Sequence, residues 1–296
     1  MPSKKIPLNL VHNESAGGGR HERSKLVELL KRAGYKVACF GNEPDDIAAA
    51  LKRPAELVVA AGGDGTVAHV AAAARPEGPP IAILPCGTAN NMAKAFGLFG
   101  PLEELVASWR TASIRPFYPI DADGPWGSRR VIEGIGFGAV EDAIVDLPDK
   151  TNPERARLSY AEAVTRANPE LLEIRLEEET ISDCFPLLEV VTIPLVGPNL
   201  PLAPGADPFD RTFEICFIRD RSDERKAMAE WLADPDAGMP APLSLRTAER
   251  VSIAGQFRRI RIDGGVKSTK PERDWDYTRP ITLTAASEPL PFLVPD

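Results

Sequence analysis

Through its first hundred residues the chain alternates short apolar runs with stretches in which apolar residues recur every three or four positions. The short runs predict buried strands, and the recurring pattern predicts amphipathic helices. The predicted strands cover residues 6–12, 35–40, 56–61 and 80–84. The predicted helices cover residues 24–33, 45–52, 66–74, 88–96 and 102–109. Strand–helix alternation at this spacing indicates a parallel sheet with helices on both faces.

The pattern changes after about residue 112. Short β-like runs separated by Pro and other turn residues now dominate, which predicts a mainly antiparallel β region. These runs cover residues 115–121, 130–137, 173–177, 187–196, 212–218, 258–262 and 280–284. Helical patterns interrupt them at residues 140–146, 155–167 and 223–232.

The fold class that follows is α/β, with two domains. We expect an N-terminal α/β domain with a parallel sheet at residues 1–112 and a C-terminal antiparallel β-rich domain at residues 113–296. The length of 296 residues fits this division, because a domain has roughly 150 residues.

Charge and composition narrow the function classes. With 35 basic and 43 acidic residues the net charge is −8, which argues against a nucleic-acid partner because such proteins need a basic surface. No apolar run approaches the roughly 18–20 residues that span a bilayer. The first residues lack the apolar segment of a signal peptide, so we expect a cytoplasmic protein. The four cysteines are scattered and predict reduced, buried thiols rather than a disulfide framework or a zinc site.

Three glycine-rich loops each follow a predicted strand of the first domain, at residues 12–19, 62–66 and 85–91. All three should lie at the carboxyl edge of one parallel sheet, where open α/β folds bind ligands. Glycine lets a phosphate approach the backbone closely, and the N–H groups at a helix start bind anions. A single loop of this kind is more typical of a simple tight βα turn, because short glycine motifs are common. Three at one edge favour a phosphate site.

The side chains within these loops suggest further contacts. Thr66 and Thr88 offer hydroxyl donors, and Asn13 and Asn90 can hydrogen-bond a phosphate or a base. Phosphates would repel Asp64 unless a divalent cation or a proton intervenes. Asp64 is therefore a candidate for binding Mg²⁺ or for proton transfer.

These motifs resemble the diacylglycerol kinase catalytic domain family. The sequence GGDGT at residues 62–66 is followed about twenty residues on by PCGTAN at residues 85–90, and NESAG at residues 13–17 is similar to the family's first nucleotide loop. LAP at residues 202–204 with the later Asp210, and IDGG at residues 262–265, are similar to its second-domain motifs. The family includes bacterial lipid kinases and sphingosine kinases, and its superfamily includes NAD kinases and phosphofructokinases.

The resemblance implies a kinase of phospholipid biosynthesis that transfers the γ-phosphate of ATP, with Mg²⁺, to the hydroxyl of a lipid similar to diacylglycerol, ceramide or sphingosine. Asp64 and Asp263 would be catalytic, and Asp210 would hold a metal ion. The remaining nucleotide-binding positions would be Asn13, Ser15, Gly17, Gly62, Gly63, Gly65, Thr66, Gly87, Thr88 and Asn90, together with Asp64. The apolar tail at residues 290–294 would return to the first domain. Peripheral contact with the inner membrane and a homodimer are further expectations.

Several positions depart from the family's motifs. Gly265 stands where the family has the glutamate of its DGE motif, and a glycine cannot accept a proton. General base catalysis contributes about 10²–10⁴-fold, so this change predicts a slow or inactive kinase. Asn91 and Arg211 replace an aspartate and a glycine of the family. Glu14 replaces a proline and adds negative charge near the expected phosphates.

Alternative functions follow from these departures. One is a nucleotide-binding pseudokinase, which Gly265 favours. Another is a kinase for a soluble acceptor, as in the distant NAD kinases, which the acidic net charge favours because anionic membranes attract Lys and Arg. Residues 134–139 also match the dinucleotide pattern GxGxxA, but the surrounding antiparallel pattern argues against a Rossmann unit. One of the nearby carboxylates, Glu133, Glu141 or Asp142, is a candidate substitute for the missing base, although carboxylates at a helix start more often only offset the charge of the helix N-terminus.

Overall fold

The structure, a computed structural model, describes residues 5–139, 143, 153–169, 171–234, 239–257, 259–268 and 279–295. Its contacts divide the chain into two compact units. The first unit consists of Met1–Tyr118, Pro208–Asp210 and Ser287–Asp296, and the second consists of Pro119–Asp207 and Arg211–Ala286.

The first unit contains a six-stranded sheet and five α-helices among its described residues. Its strands are β1 (Ile6–His12), β2 (Tyr35–Phe40), β3 (Leu57–Gly62), β4 (Ile81–Pro85), β5 (Ser113–Phe117) and, from the end of the chain, β18 (Leu290–Val294). Its helices are α1 (Arg23–Arg32), α2 (Pro44–Lys52), α3 (Asp64–Ala73), α4 (Asn91–Ala95) and α5 (Leu102–Ser108). The strand order is β2-β1-β3-β4-β18-β5. All neighbours are parallel except β18 and β5, which pair antiparallel.

Burial explains why these sequences form this sheet. Every residue of β3 is buried, as expected of a central strand covered on both faces. Leu26 and Leu30 of α1 lie one helical turn apart and are both buried in the core that also contains Leu8 and Leu10 of β1. An apolar stripe at this spacing stabilises a helix mainly through its packing on the sheet.

The second unit is built from two six-stranded antiparallel sheets. The strand orders are β10-β9-β14-β17-β6-β7 and β13-β12-β11-β8-β15-β16. The first of these sheets contains β6 (Ile120–Gly124), β7 (Gly127–Val131), β9 (Leu171–Arg175), β10 (Thr180–Cys184), β14 (Arg250–Gly255) and β17 (Ile281–Ala285). The second contains β8 (Gly134–Gly138), β11 (Leu187–Val191), β12 (Phe213–Ile218), β13 (Ser244–Ala248), β15 (Arg259–Ile262) and β16 (Gly265–Ser268).

Side chains from both of these sheets share one buried core, which includes Ile174 and Ile253 from one sheet and Phe137 and Phe217 from the other. The helices α6 (Pro153–Arg166) and α7 (Ser222–Ala233) contribute Tyr160 and Met228, among others, to a second core with the opposite side of β11 and β12. Within the described ranges, no helix has the length and apolarity that crossing a membrane would require.

The α/β fold class is confirmed: parallel strands with helices come first, and antiparallel strands follow. Several boundaries differ from the sequence-based ones. The run at 115–121 is broken at Pro119, which lacks an N–H group, and β5 pairs with β18 in the first unit while β6 pairs with β17 in the second. The first unit therefore extends to Tyr118 rather than to residue 112.

Three further elements were predicted too long or placed differently. The run at 130–137 divides into β7 and β8, and β11 ends at Val191 rather than at residue 196. The helix predicted from residue 88 begins only at Asn91, because Asn90 adopts a left-handed conformation with φ of 52°. Of the helix predicted at 140–146, only residue 143 belongs to the described residues, and Glu141 and Asp142 lie outside them. The prediction of buried cysteines is wrong for Cys39, which is exposed.

Candidate functional site

The three glycine-rich loops follow β1, β3 and β4, and these strands are direct neighbours in the sheet. The loops therefore meet at the carboxyl edge of the first unit, as the sequence predicted. Backbone hydrogen bonds continue the sheet into the loops, from the Asn13 N–H to the Ala61 carbonyl at 3.0 Å and from the Cys86 N–H to the Gly62 carbonyl at 2.9 Å.

The first loop is shaped by consecutive glycines and by the side chain of Asn13. Gly17, Gly18 and Gly19 all have positive φ angles, a conformation that glycine adopts without strain. A Cβ atom on Gly17 would overlap with the backbone carbonyl of Cys86 in the third loop. Asn13 Oδ1 accepts hydrogen bonds from the N–H and the hydroxyl of Ser15, at 3.1 and 2.8 Å. Asn13 and Ser15 thus hold the loop in shape.

An ion pair offsets the negative charge of Glu14 in this loop. The Glu14 Oε1 atom lies 3.0 Å from Nη2 of Arg23, the first residue of α1. The Nε atom of Arg20 donates to the Gly17 carbonyl at 2.8 Å. The negative charge that Glu14 adds to the loop is therefore paired with Arg23. Arg20, directly after the loop, and Arg23, in α1, thus both contact loop residues.

The second loop leads directly into α3, whose first residue is Asp64. Gly62 lies so close to the Thr66 side chain that a Cβ atom would overlap with it. Thr66 is buried, and its hydroxyl oxygen accepts a hydrogen bond from Asn13 Nδ2 at 3.2 Å. This contact joins the first loop to the second. Thr66 therefore lies beneath the loop surface, where its hydroxyl supports Asn13.

Asp64 joins the second loop to the third. Its Oδ1 accepts the N–H of Met92, in the first turn of α4, at 3.0 Å. Burial raises the pKa of Asp64 above the ordinary aspartate value, and hydrogen bonds from the backbone amides of Met92, Asn91 and Asp64 itself partly oppose this shift. A carboxyl group held in this way keeps one orientation while its proton affinity is increased.

In the third loop, Asn90 folds its side chain back onto Gly87. The Gly87 N–H donates to Asn90 Oδ1 at 2.9 Å, and Asn90 Nδ2 donates to the Gly87 carbonyl at 3.0 Å. Gly87 also faces Gly63 so closely that neither could carry a side chain without movement. Thr88, in contrast, is exposed at the tip of the loop.

Taken together, the polar side chains of these loops bind other side chains or the backbone of the loops and of α4. Loop N–H groups and the start of α3, a helix of 10 residues, are suited to an anion such as a phosphate because the helix N-terminus carries partial positive charge. Asp64 is an acidic group at the same edge. A nucleotide-borne Mg²⁺ needs only one or two protein carboxylates beside phosphates and water, and Asp64 fits that requirement.

In the second unit, Asp263 occupies the turn between β15 and β16. Its φ of 50° places it in the left-handed region. Oδ1 accepts the N–H groups of Ile132 and Glu133, which connect β7 to β8, at 2.8 and 2.7 Å. The Asp263 N–H in turn donates to the Gly134 carbonyl at 2.9 Å. Burial raises the pKa of Asp263, and these backbone hydrogen bonds and Arg261 partly oppose the shift.

Gly265 begins β16, two residues after Asp263, and pairs with Ile262 across the hairpin. It provides no carboxyl group. Glu133, one of the suggested substitutes, is buried beside Asp263 through the backbone contact described above. The sequence GIGFGA at residues 134–139 begins with β8, which pairs antiparallel with β11 and β15. It therefore does not open a βαβ unit.

Asp210 lies in the short segment Pro208–Asp210, which belongs to the first unit. The neighbouring Phe209 ring lies 4.9 Å from the ring of Phe96, and the guanidinium of Arg115 lies 3.9 Å from the Phe209 centroid. In the part of the chain that the structure describes, no three His, Cys, Asp or Glu side chains are grouped closely enough to hold a metal ion. The role of Asp210 stays a prediction.

Two charged contacts were not foreseen from the sequence: the Glu14–Arg23 ion pair and a buried pair between Glu189 and Arg261. The second is part of the Asp263 region, because Arg261 also donates to the Asp263 carbonyl at 2.8 Å. A charged residue in the middle of an apolar run, as Glu189 is in LLEVV, was the available signal, but its partner is 72 residues away in sequence.

Known proteins are similar to this chain in sequence. Residues 7–120 match the family model "Diacylglycerol kinase catalytic domain". A diacylglycerol kinase of Bacillus subtilis is 25% identical over 223 residues, which cover 71% of this chain and 73% of that protein. A probable lipid kinase, YegS-like, of Klebsiella pneumoniae is 31% identical over 165 residues, 52% of this chain and 54% of that protein.

The fold is also known from crystallography. The structure of a diacylglycerol kinase from Bacillus anthracis superposes with a TM-score of 0.71 at 15% identity, covering 99% of this chain and 98% of that one. At this identity the likeness shows the fold alone. The family match and the relatives show that residues 7–120 of this chain are similar to the diacylglycerol kinase catalytic domain family.

Proposed function

We propose that this protein is an ATP-dependent lipid kinase, which transfers the γ-phosphate of Mg-ATP to the hydroxyl of a lipid similar to diacylglycerol, ceramide or sphingosine. The observation that carries the proposal is the direct contact among the three loops, with Asn13 bound to Thr66 and Asp64 bound to the Met92 amide. Such interlocked loops present backbone donors in a fixed arrangement, as phosphoryl transfer requires.

In this proposal the first unit binds the nucleotide. Backbone groups around Gly17, Gly63 and Gly87 would contact the phosphates, because their missing side chains allow a close approach. Asp64 would hold the Mg²⁺ that accompanies ATP, and the ion would supply positive charge to offset the negative charge of the phosphates. Asp64, with its raised pKa, would orient that ion or accept the proton of the attacking hydroxyl.

The second unit would contribute Asp263. Its carboxyl group is fixed by the amides of Ile132 and Glu133, and it would orient the acceptor or assist its deprotonation. We expect the protein to act in the cytoplasm at the inner membrane surface, where such acceptors are found.

A second candidate is a nucleotide-binding pseudokinase, and Gly265 is the observation that favours it. Without the family's glutamate, the proposal relies on Asp64 and Asp263, each of which already accepts backbone hydrogen bonds. Such a protein would bind Mg-ATP and transfer nothing. A kinase for a soluble acceptor is the third possibility and differs from the first by needing no lipid vesicles.

The deciding experiment measures transfer of radiolabelled γ-phosphate from Mg-ATP into a bacterial lipid extract supplemented with diacylglycerol, ceramide and sphingosine. Asp64→Asn is the informative variant, because asparagine keeps an oxygen for the Met92 amide and removes the charge. We expect transfer to fall by about 100-fold or more. Asp45→Asn, an exposed aspartate of α2, is the matched control and should retain full activity.

The outcomes separate the three candidates. A labelled lipid that is lost in Asp64→Asn supports the lipid kinase and identifies the acceptor class. If a water-soluble cell extract replaces the lipids, label on a product other than ATP and inorganic phosphate would indicate a soluble acceptor. If Mg-ATP binds but no acceptor is labelled, the kinase proposal fails and the pseudokinase is favoured.

A further inference from the structure

A buried ion pair lies behind Asp263. Glu189 Oε2 is 2.5 Å from Arg261 Nη2, and the two side chains are 0% and 5% exposed. Taking two charges out of water is so unfavourable that a buried ion pair is often no more stable than an apolar pair of the same volume. The second carboxylate oxygen of Glu189 is buried and has no hydrogen-bond partner among the described residues. Stability of the fold is therefore a poor explanation for the pair.

The strand register shows how the two side chains reach each other. Arg261 of β15 lies opposite Gly136 of β8, and Gly136 lies opposite Glu189 of β11. Residues directly opposite one another project from the same face of a sheet. Because Gly136 has no side chain, Arg261 can cross β8 to a carboxylate two strands away.

The second terminal nitrogen of the Arg261 guanidinium faces the turn between β15 and β16, which contains Asp263. Nη1 donates to the Asp263 carbonyl at 2.8 Å, while the Asp263 carboxyl holds the Ile132 and Glu133 amides. Asp263 adopts positive φ, which is unfavourable for a residue with a side chain. The hydrogen bond from Arg261 stabilises the backbone in that conformation.

We propose that Glu189 and Arg261 are positioning residues for Asp263. Glu189 fixes the guanidinium across Gly136, and the guanidinium fixes the Asp263 backbone, so that the carboxyl group keeps a single orientation. The consequence for catalysis rests on the proposed function of Asp263, whereas the positioning itself can be measured without any activity.

The test replaces the buried pair by apolar residues of similar volume, Glu189→Met together with Arg261→Met, which should preserve the fold. Hydrogen exchange of the Ile132 and Glu133 amides, both bound to the Asp263 carboxyl, reports its position. We expect these two amides to exchange about tenfold faster or more, approaching their rate in Asp263→Ala, while amides of β12 stay unchanged.

A matched control is available in the same unit. Arg246 donates from Nε and Nη2 to the two carboxylate oxygens of Glu179, at 2.6 and 3.0 Å, and this pair is partly exposed. Glu179→Met with Arg246→Met removes an ion pair of the same type and should leave exchange at Ile132 and Glu133 as in the wild type.

Arg261→Lys provides a second test that keeps the positive charge. Lysine lacks the planar guanidinium that donates to Glu189 and to the Asp263 carbonyl at the same time. Hydrogen exchange at the Ile132 and Glu133 amides should therefore again accelerate. If both amides keep wild-type protection in a folded double variant or in Arg261→Lys, the proposal is overturned. If neither variant folds, the pair is a requirement of the fold, and the proposal is likewise overturned.

An activity measurement adds the catalytic consequence. In the folded double variant kcat should fall about tenfold or more, with the KM for ATP unchanged, because the nucleotide loops belong to the first unit. A wild-type protein that transfers no phosphate contradicts the proposed function, yet the exchange result still decides whether Glu189 and Arg261 position Asp263.

Discussion

At the scale of single residues, polar side chains in each of the two units bind nearby backbone groups. Asp64 binds the Met92 amide, Asn90 binds Gly87, and Asp263 binds the Ile132 and Glu133 amides. Burial raises the pKa of both aspartates. Asp64 and Asp263 thus each combine a structural contact with the increased proton affinity that acid–base chemistry uses.

His12, the last residue of β1, gives a prediction on pH. Burial lowers its pKa below the ordinary 6.5, and the nearby positive charge of Arg23 adds to this. The unfolded chain therefore takes up the proton more readily, so the stability that neutral His12 contributes is present above about pH 6.5 and is lost as pH falls below it. We expect His12→Gln to weaken the fall in melting temperature between about pH 7 and 5.

The measurement is thermal unfolding of both proteins across this pH range. His69→Gln is the control. His69 is exposed on α3, so this substitution should leave the pH dependence of the melting temperature unchanged. Equal slopes for the wild type and His12→Gln would contradict the prediction.

At the scale of elements, the loops function as a set because small residues let them touch. Gly87 faces Gly63, and Gly17 faces the Cys86 carbonyl. These contacts need both the glycine composition and the adjacency of β1, β3 and β4.

Gly87→Ala tests this close packing. A Cβ atom at Gly87 would overlap with the Gly63 backbone and with the Asn90 side chain, so the second and third loops must separate. We expect a loss of about 1–3 kcal/mol in the free energy of unfolding and, by calorimetry, about tenfold weaker Mg-ATP binding.

The stability control is Gly65→Ala on α3, where a Cβ atom would meet no neighbour within 4 Å. Alanine is a better helix former than glycine, so the free energy of unfolding should stay equal or rise by up to about 1 kcal/mol. If Gly87→Ala is as stable as Gly65→Ala, the second and third loops can accommodate a Cβ atom, and the prediction of close packing is wrong.

At the scale of the whole molecule, the last strand completes the sheet of the first unit. β18 lies between β4 and β5, and its Phe292 is fully buried. The Phe292 ring lies 5.0 Å from that of Phe96 and 5.5 Å from that of Phe117. Residues more than 170 positions apart in the sequence therefore form one aromatic core.

Phe292→Ala should destabilise the protein by about 3–5 kcal/mol, the range for removing a buried aromatic side chain. Urea unfolding measures the change. Phe99→Ala is the control: Phe99 is 66% exposed, and its truncation should change the free energy of unfolding by no more than about 0.5 kcal/mol. Comparable effects for the two variants would argue against an essential role for β18.

Much of this architecture could be predicted from local pattern. Apolar runs and helical periodicity located the strands and helices of the first hundred residues to within a few positions, because burial on a sheet imposes those periods. Helix α4 was the exception, since the left-handed Asn90 delays its start and no periodicity encodes a backbone angle. The break between β5 and β6 was also missed, because one continuous β-like run in the sequence contributes strands to two different sheets.

By itself, the sequence determined the α/β class, the position of the three loops after strands, and the family resemblance, because each depends on residues that are close along the chain. Only the tertiary structure decided that Thr66 supports Asn13, that Glu14 pairs with Arg23, and that Arg261 crosses Gly136 to reach Glu189. These contacts join residues from different elements. Strand order and register bring these residues together, and neither can be inferred from the spacing of residues within one segment.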